Sequence, residues 1–317
     1  MTKLRDLILV PVIVALLVTG VLIDPAFLSA ENVIALLRQQ TELSLLVLAE
    51  VAILIAGRID LSITATAALA PALAAGLVLP AASGGLGVGL PEWSAIPVCL
   101  AAGALAGALN ALLILQFRLP AFAATLGTLI LLTGLTVSVA EHPGQLRYLG
   151  RAVWLGVPAS IWLCTLIFVA AIVFLGLFRH GRSLYAVGGD LDAAKAAGIR
   201  TGRVLWLTFL TGGILAALAG MLATGRTGAD GPPQGTIFLV FAAAIIGGIS
   251  LSGGGGTPFG ALCGVLTLGL TDSVLRLAGM QATWIPAIYG ALVIAALALA
   301  RVQATYRPGP PAPPVPR

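Results

Sequence analysis

The chain has 317 residues, of which 59% are hydrophobic and only 9% charged, with a mean hydropathy of +1.07. A water-soluble domain carries about 25% charged residues, so a soluble enzyme of this size is excluded for want of polar surface. The formal net charge of +5 does not point to nucleic acid, because the basic residues stand between long apolar runs, where they report on membrane topology.

Those runs are roughly 17 to 23 residues long, close to the ~20 that an α-helix needs to cross about 30 Å of hydrocarbon. Stretches such as AGALAGALNALLIL at 102–115 show no period of two, which excludes the strands of a membrane β-barrel. The chain is therefore read as an all-α polytopic membrane protein with about ten transmembrane helices.

In chain order the first span covers about 7–23 and follows Lys3 and Arg5. It resembles a signal peptide, but it lacks a small-x-small cleavage site and further spans follow, so a retained helix is expected. The second span, 42–57, carries Glu42 and Glu50. Its end runs into the polar stretch 57–62, which is either a break inside the membrane or a cytoplasmic turn. Spans at 61–80, 95–116, 120–140 and 160–178 come next. The pairs Gly103/Gly107 and Ala104/Ala108 suit close helix packing.

The longest polar loop, 179–203, precedes spans at 204–223, 236–250, 258–276 and 284–300. The run LSGGGGTP at 251–258 cannot be regular helix, since four glycines lose too much backbone entropy and proline lacks a donor. Residues 1–303 form the transmembrane domain on this reading. The remainder, 304–317, is a proline-rich tail expected to be disordered or polyproline II. Cys99, Cys164 and Cys263 all fall in apolar runs and are read as small buried hydrophobes.

With the N-terminus inside, inner segments hold 12 of the 17 lysines and arginines and outer segments hold Arg38, Arg147, Arg151, Arg226 and Arg276. The positive-inside rule then places both termini in the cytoplasm.

The loop 179–203 outlines a short helix, Leu191 to Ala197. Asp190 is suited to the N-cap, Asp192 to the first turn, Lys195 to the last turn and Gly198 to the left-handed position that ends it. So short a helix is not stable alone in water. Leu191, Ala194 and Ile199 offer it a small apolar docking face, either for the protein's own loops or for a cytoplasmic partner. The chain has no motor of its own: its lysines are Lys3 and Lys195, and neither follows a phosphate-binding glycine loop. His142 and His180 fall on opposite sides of the membrane, and no cluster has the spacing of a metal site or a hydrolase centre.

Ionisable groups inside spans are functional candidates by default. Glu50 is the deepest, with proton coupling, substrate contact and a hydrogen bond to the neighbouring break all open. Asp272 and Arg276 lie one turn apart and can pair. Asp60 can form a local ion pair with Arg58 at a helix start, with Asp60, Ser62 and Thr64 satisfying freed backbone donors.

Four segments carry a family resemblance. AGRIDLS at 56–62, NALLILQFRLPAFAATLGTLILLTGLT at 110–136, GRSLYAVGGDLDAAKAAGI at 181–199 and AAIIGGISLSGGGGTPFGALCG at 243–264 occur in the order and spacing of the permease subunits of ribose/xylose/arabinose-type bacterial ABC sugar importers. The sequence departs from that pattern at Arg58, in place of a glycine, at Asp190 in place of asparagine, and at Asp192 in place of glutamate.

The resemblance implies a multi-pass protein of the bacterial inner membrane, working with a second permease chain as homodimer or heterodimer amid membrane lipid. It implies a cytoplasmic ABC ATPase that carries the ATP and magnesium, leaving this chain without a cofactor, and a periplasmic sugar-binding protein that docks on the outer loops 141–159 and 224–235. By residue match, Asp190, Asp192, Ala193, Ala194, Lys195, Gly198 and Ile199 take the ATPase-coupling role. Glu50, Arg58, Asp60, Ser62, Asn110, Thr125 and Thr128 are the substrate-pathway candidates. An ion-gradient-driven secondary transporter, with Glu50 or Asp272 as the coupling acid, is the alternative.

Overall fold

The computed structural model describes residues 9–83, 85–139, 151–228, 232 and 235–305. Ten helices answer to the ten apolar runs: α1 (Leu9–Ile23), α2 (Ala30–Ile55), α3 (Ile63–Val78), α4 (Ala95–Leu115), α5 (Ala121–Val139), α6 (Ala159–Leu177), α9 (Thr201–Thr227), α10 (Thr236–Ile246), α11 (Pro258–Leu277) and α12 (Ile285–Thr305). Between α6 and α9 lie two loop helices, α7 (Arg179–Gly189) and α8 (Leu191–Ala196). The strands β1 (Val153–Trp154) and β2 (Val157–Pro158) form a minimal antiparallel hairpin before α6.

By length and composition, α4 with its preceding turn, α5, α6, α9 and α11 are sufficient to cross a membrane, and α1, α3, α10 and most of α12 are shorter apolar helices. The second span begins well before 42. Ser29 caps α2 by accepting from the Asn32 amide at 3.3 Å, and Glu31 sits in the first turn. The polar outer third of α2, with Glu31, Arg38, Gln39 and Gln40, hides it from a hydropathy scan. At 26 residues the helix is roughly 39 Å long. Conversely, α10 stops at Ile246 rather than 250, where Gly247 and Gly248 end it. Its C-terminal counterpart α12 continues to Thr305, past the 303 boundary, and 306–317 lies outside the described residues.

The bundle is organised around α9, which packs against α4, α2 and α3. Small residues make this possible. A methyl at Gly103 or Gly107 would run into the Gly213 or Phe209 carbonyl of α9, and one at Gly220 would run into the Ala67 carbonyl of α3. Such approach supplies the van der Waals contact on which helix association in lipid depends. Gly220→Leu is therefore expected to lower the melting temperature in detergent by several degrees. Gly127→Ala, where an added methyl meets nothing, stays within about 1 kcal/mol of the parent. Cys99, Cys164 and Cys263 are buried thiols, as anticipated.

The segments 56–62, 179–203 and 251–257 meet at one end of the bundle. Gln39, Arg226, Asp272 and the start of α12 meet at the other. This is the arrangement that the charge distribution assigns to the inner and outer faces.

Candidate functional site

At the inner end, α2 and α3 are separated by a non-helical stretch from Ala56 to Ser62. Freed backbone donors in an apolar bundle must find partners, and here Asp60 provides them. One carboxylate oxygen accepts from the Ser62 amide at 2.8 Å and the Ser62 hydroxyl at 2.6 Å. The other accepts from Asn110 Nδ2 at 3.1 Å, and Asn110 Nδ2 also donates to Ser62 Oγ at 2.8 Å. Thr128 Oγ1 donates to Asn110 Oδ1 at 2.7 Å. The Asp60 amide in turn donates to Glu50 Oε1 at 3.3 Å.

Six of the seven pathway candidates, Glu50, Asp60, Ser62, Asn110, Thr125 and Thr128, thus form one cluster, each no more than 3% exposed. Thr125 bonds its own helix, at the Ala121 carbonyl, and lies 3.5 Å from the Ile59 carbonyl. Arg58 is the exception. It makes no ion pair with Asp60, and its buried Nε has no hydrogen-bond partner among the described residues. The Asp60 carboxylate turns instead toward Ser62 and Asn110, which saturate it.

Directly below this cluster the loop helices meet the break. A methyl at Gly188 would strike the Ile55 carbonyl, and one at Gly253 would lie 2.8 Å from Gly57 Cα. The Gly254 amide donates to the Ile55 carbonyl at 2.9 Å, and Tyr185 Oη donates to the Gly256 carbonyl at 3.0 Å. The end of α2, the end of α7 and the 251–257 turn are therefore in backbone contact, which only glycines permit. Helix α7 was not anticipated, because glycines at 181, 188 and 189 read as loop. Each costs a helix about 1 kcal/mol relative to alanine.

Helix α8 is one residue shorter than expected, with Ala197 as its C-cap. Asp190 Oδ1 caps it by accepting from the Asp192 and Ala193 amides, both at 2.9 Å. Gly198 ends it at φ +80, a conformation costly for any residue with a Cβ. Ala194 is buried, and Leu191 and Ile199 pack against the core. The apolar face thus seats the helix on its own protein. Asp192, Ala193 and Lys195 face outward, with Lys195 Nζ 3.0 Å from Asp192 Oδ1.

At the outer end lies a cavity of about 380 Å³ whose walls include Gln39, Gln40, Glu42, Arg226, Asp272, Arg276 and Tyr289. Arg226 Nε pairs with Glu42 at 2.7 Å, and Arg276 Nε pairs with Asp272 at 2.8 Å, as the spacing of that second pair predicted. A wider recess of about 710 Å³, shared through Gln39 and Arg226, opens beside it. Neither cavity includes any member of the inner cluster. Sequence reasoning noted Glu42 only as an acid within the second span and passed over Gln39, Gln40 and Tyr289. Two glutamines inside a long helix and a tyrosine near the start of another carry no motif, and only the folded bundle brings α2, α9, α11 and α12 together. Residues 141–150, 229–231 and 233–234 of the expected outer docking loops, with His142, lie outside the described residues.

Residues 32–297 match the family described as Branched-chain amino acid transport system / permease component. The chain is 31% identical over 291 residues to the ribose import permease protein RbsC of Haemophilus influenzae, covering 88% of this chain and 87% of that one. It is 32% identical to RbsC of Bacillus subtilis, with 88% of each covered. To the autoinducer 2 import system permease protein LsrC of Klebsiella pneumoniae it is 34% identical, over 94% of this chain and 86% of that one. No solved structure matches the chain.

Proposed function

The chain belongs to this family of transport-system permease components, and on that premise we propose that it is the membrane subunit of an ATP-binding-cassette importer for a sugar or sugar-like solute. It is a helical multi-pass protein of the inner membrane. Relatives named for ribose and autoinducer 2 import support the solute class. The ion-gradient alternative finds no support in these relatives. The single observation that carries the coupling role is the inner junction: a short helix seated by Ala194, with Asp192, Ala193 and Lys195 presented outward, directly follows α7, whose Gly188 is in backbone contact with the end of α2.

In this mechanism a cytoplasmic ATPase dimer grips the outward face of α8. Its closure pushes α7 against Ile55 and the 251–257 turn, and the push travels up α2 and α9. A second permease chain completes the pathway, and a periplasmic binding protein delivers the solute at the outer face.

The test is purification of the chain from native membranes, with ATPase activity measured with and without it. A co-purifying P-loop protein whose activity responds to the chain is the expected result. A chain that purifies alone and moves solute down an imposed ion gradient would overturn the proposal. Ala193→Glu is expected to lose the ATPase while the chain's melting temperature holds. Ala194→Asp forces a carboxylate into the seat of α8 and should lower the melting temperature as well.

A further inference from the structure

We propose that the outer cavity bounded by α2, α9, α11 and α12 is this chain's own binding site for a neutral polyhydroxylated solute of monosaccharide size. The inference rests on the importer reading and assigns a site within it. The volume of about 380 Å³ lies within the range of small-molecule sites, which also combine apolar walls with a few polar groups. Leu43, Leu46, Ala219 and Leu268 form the apolar wall.

The charges decide the chemical class. Glu42 neutralises Arg226 and Asp272 neutralises Arg276, so the lining carries no surplus of either sign to hold an anion or a cation. The two amides of Gln39 and Gln40 each donate and accept, and the Tyr289 hydroxyl lies against Asp272. Sugar hydroxyls, which are donors and acceptors at once, need a mixed set of this kind.

Backbone shape supports the same assignment. Gln40 is seated on Gly269: a methyl there would lie 2.7 Å from Gln40 Nε2 and closer still to its Cδ. Glycine at this position of α11 is what lets the amide occupy the cavity wall. The two helices that contribute Gln40 and Arg226 are also the ones that reach the inner junction. From Gln40 to Ile55, α2 covers fifteen residues, or roughly 22 Å of rigid helix. The cavity is thus linked to Gly188 by a single element.

The experiment uses inverted-orientation controls and vesicles carrying the complete importer. ATP-dependent uptake of D-ribose, D-glucose and myo-inositol is measured, together with ATP hydrolysis stimulated by the binding protein. Gly269→Ala displaces the flexible end of Gln40, whose side chain supplies the three atoms nearest the added methyl, and Gln40→Ala removes the amide. Both are expected to cut uptake of the transported polyol at least tenfold while ATP hydrolysis stays within twofold. Gly290→Ala, where a methyl meets nothing, is the matched control and should transport normally.

A Gln40→Cys chain should react with a membrane-impermeant thiol reagent from the outer face, and the transported polyol should slow that reaction. Unchanged uptake in both variants, or loss of uptake and hydrolysis together, would overturn the cavity assignment while leaving the importer reading intact. Wild-type vesicles that take up none of the three solutes with ATP would remove the importer reading and the cavity assignment with it.

Discussion

Gly188→Val is expected to cut solute uptake by on the order of a hundredfold, whereas Gly189→Ala, one residue away, leaves it near the parental rate. The two glycines end the same helix, α7, but they face different surroundings. A Cβ at 188 would collide with the Ile55 carbonyl and lie 2.7 Å from the Gly254 amide, and a Cβ at 189 meets nothing within 4 Å. At 188 the clash is with backbone on two sides, and those two backbone groups are themselves joined by the 2.9 Å bond from Gly254 to Ile55. Neither side can yield by turning a rotamer.

Overpacking of this kind costs about 1 to 3 kcal/mol where side chains can move, and more is expected where they cannot. The cheapest relief is for α7 to lift away from the end of α2, which parts the coupling loop from the bundle. Uptake should then fall by on the order of a hundredfold, since a gap of ~3 kcal/mol corresponds to a factor of that size. The measurement is ATP-driven uptake beside ATP hydrolysis. Continued hydrolysis with lost uptake is the signature of a parted junction. Normal uptake in Gly188→Val would show that the contact plays no part in coupling.

How much of this was legible in the chain differs by region. Apolar runs located the helices because a span must be apolar along most of its length, and the one serious error, at α2, arose where that premise fails. Its outer third faces a polar cavity and so keeps Arg38, Gln39 and Gln40. The inner cluster was legible because buried polar residues in membrane helices are few enough to be noticed singly, as Glu50, Asp60 and Asn110 were. What spacing could not supply was their partnership: Asn110 lies fifty residues from Asp60 in sequence. The outer cavity was illegible for the same reason, compounded by glutamines and a tyrosine that belong to no motif. For α8, caps and charge gave the helix correctly but left its orientation open, and the structure turns Ala194 inward.

Asp60→Ala is expected to lower the melting temperature far more than Asp60→Asn, and to leave the choice of solute unchanged in whatever protein still folds. Alanine removes the acceptor for three donors: the Ser62 amide, the Ser62 hydroxyl and Asn110 Nδ2. Asn110 Nδ2 also donates to Ser62 Oγ at 2.8 Å and retains that acceptor, whereas the Ser62 hydroxyl, which accepts in that bond, loses the acceptor for its own proton and must turn it elsewhere. The Ser62 amide has no such recourse, and a buried orphan donor costs about 1 to 3 kcal/mol. Loss of the Asp60 anchor also frees the break to move against Glu50.

Asparagine keeps one oxygen for both Ser62 donors but turns an NH₂ group toward the NH₂ group of Asn110. That conflict is relieved if Asn110 rotates its amide, after which its NH₂ can meet Thr128 Oγ1, whose own proton has the Thr125 carbonyl at 3.0 Å as an alternative acceptor. The cost of Asp60→Asn is thereby held to about one redistributed bond, on the order of 1 kcal/mol. Adding Thr128→Ala should then penalise Asp60→Asn more than it penalises the parent, which a double-mutant cycle on melting temperatures would read directly. A cluster that lined the solute path would behave otherwise: Asp60→Asn would shift the solute preference with little change in melting temperature.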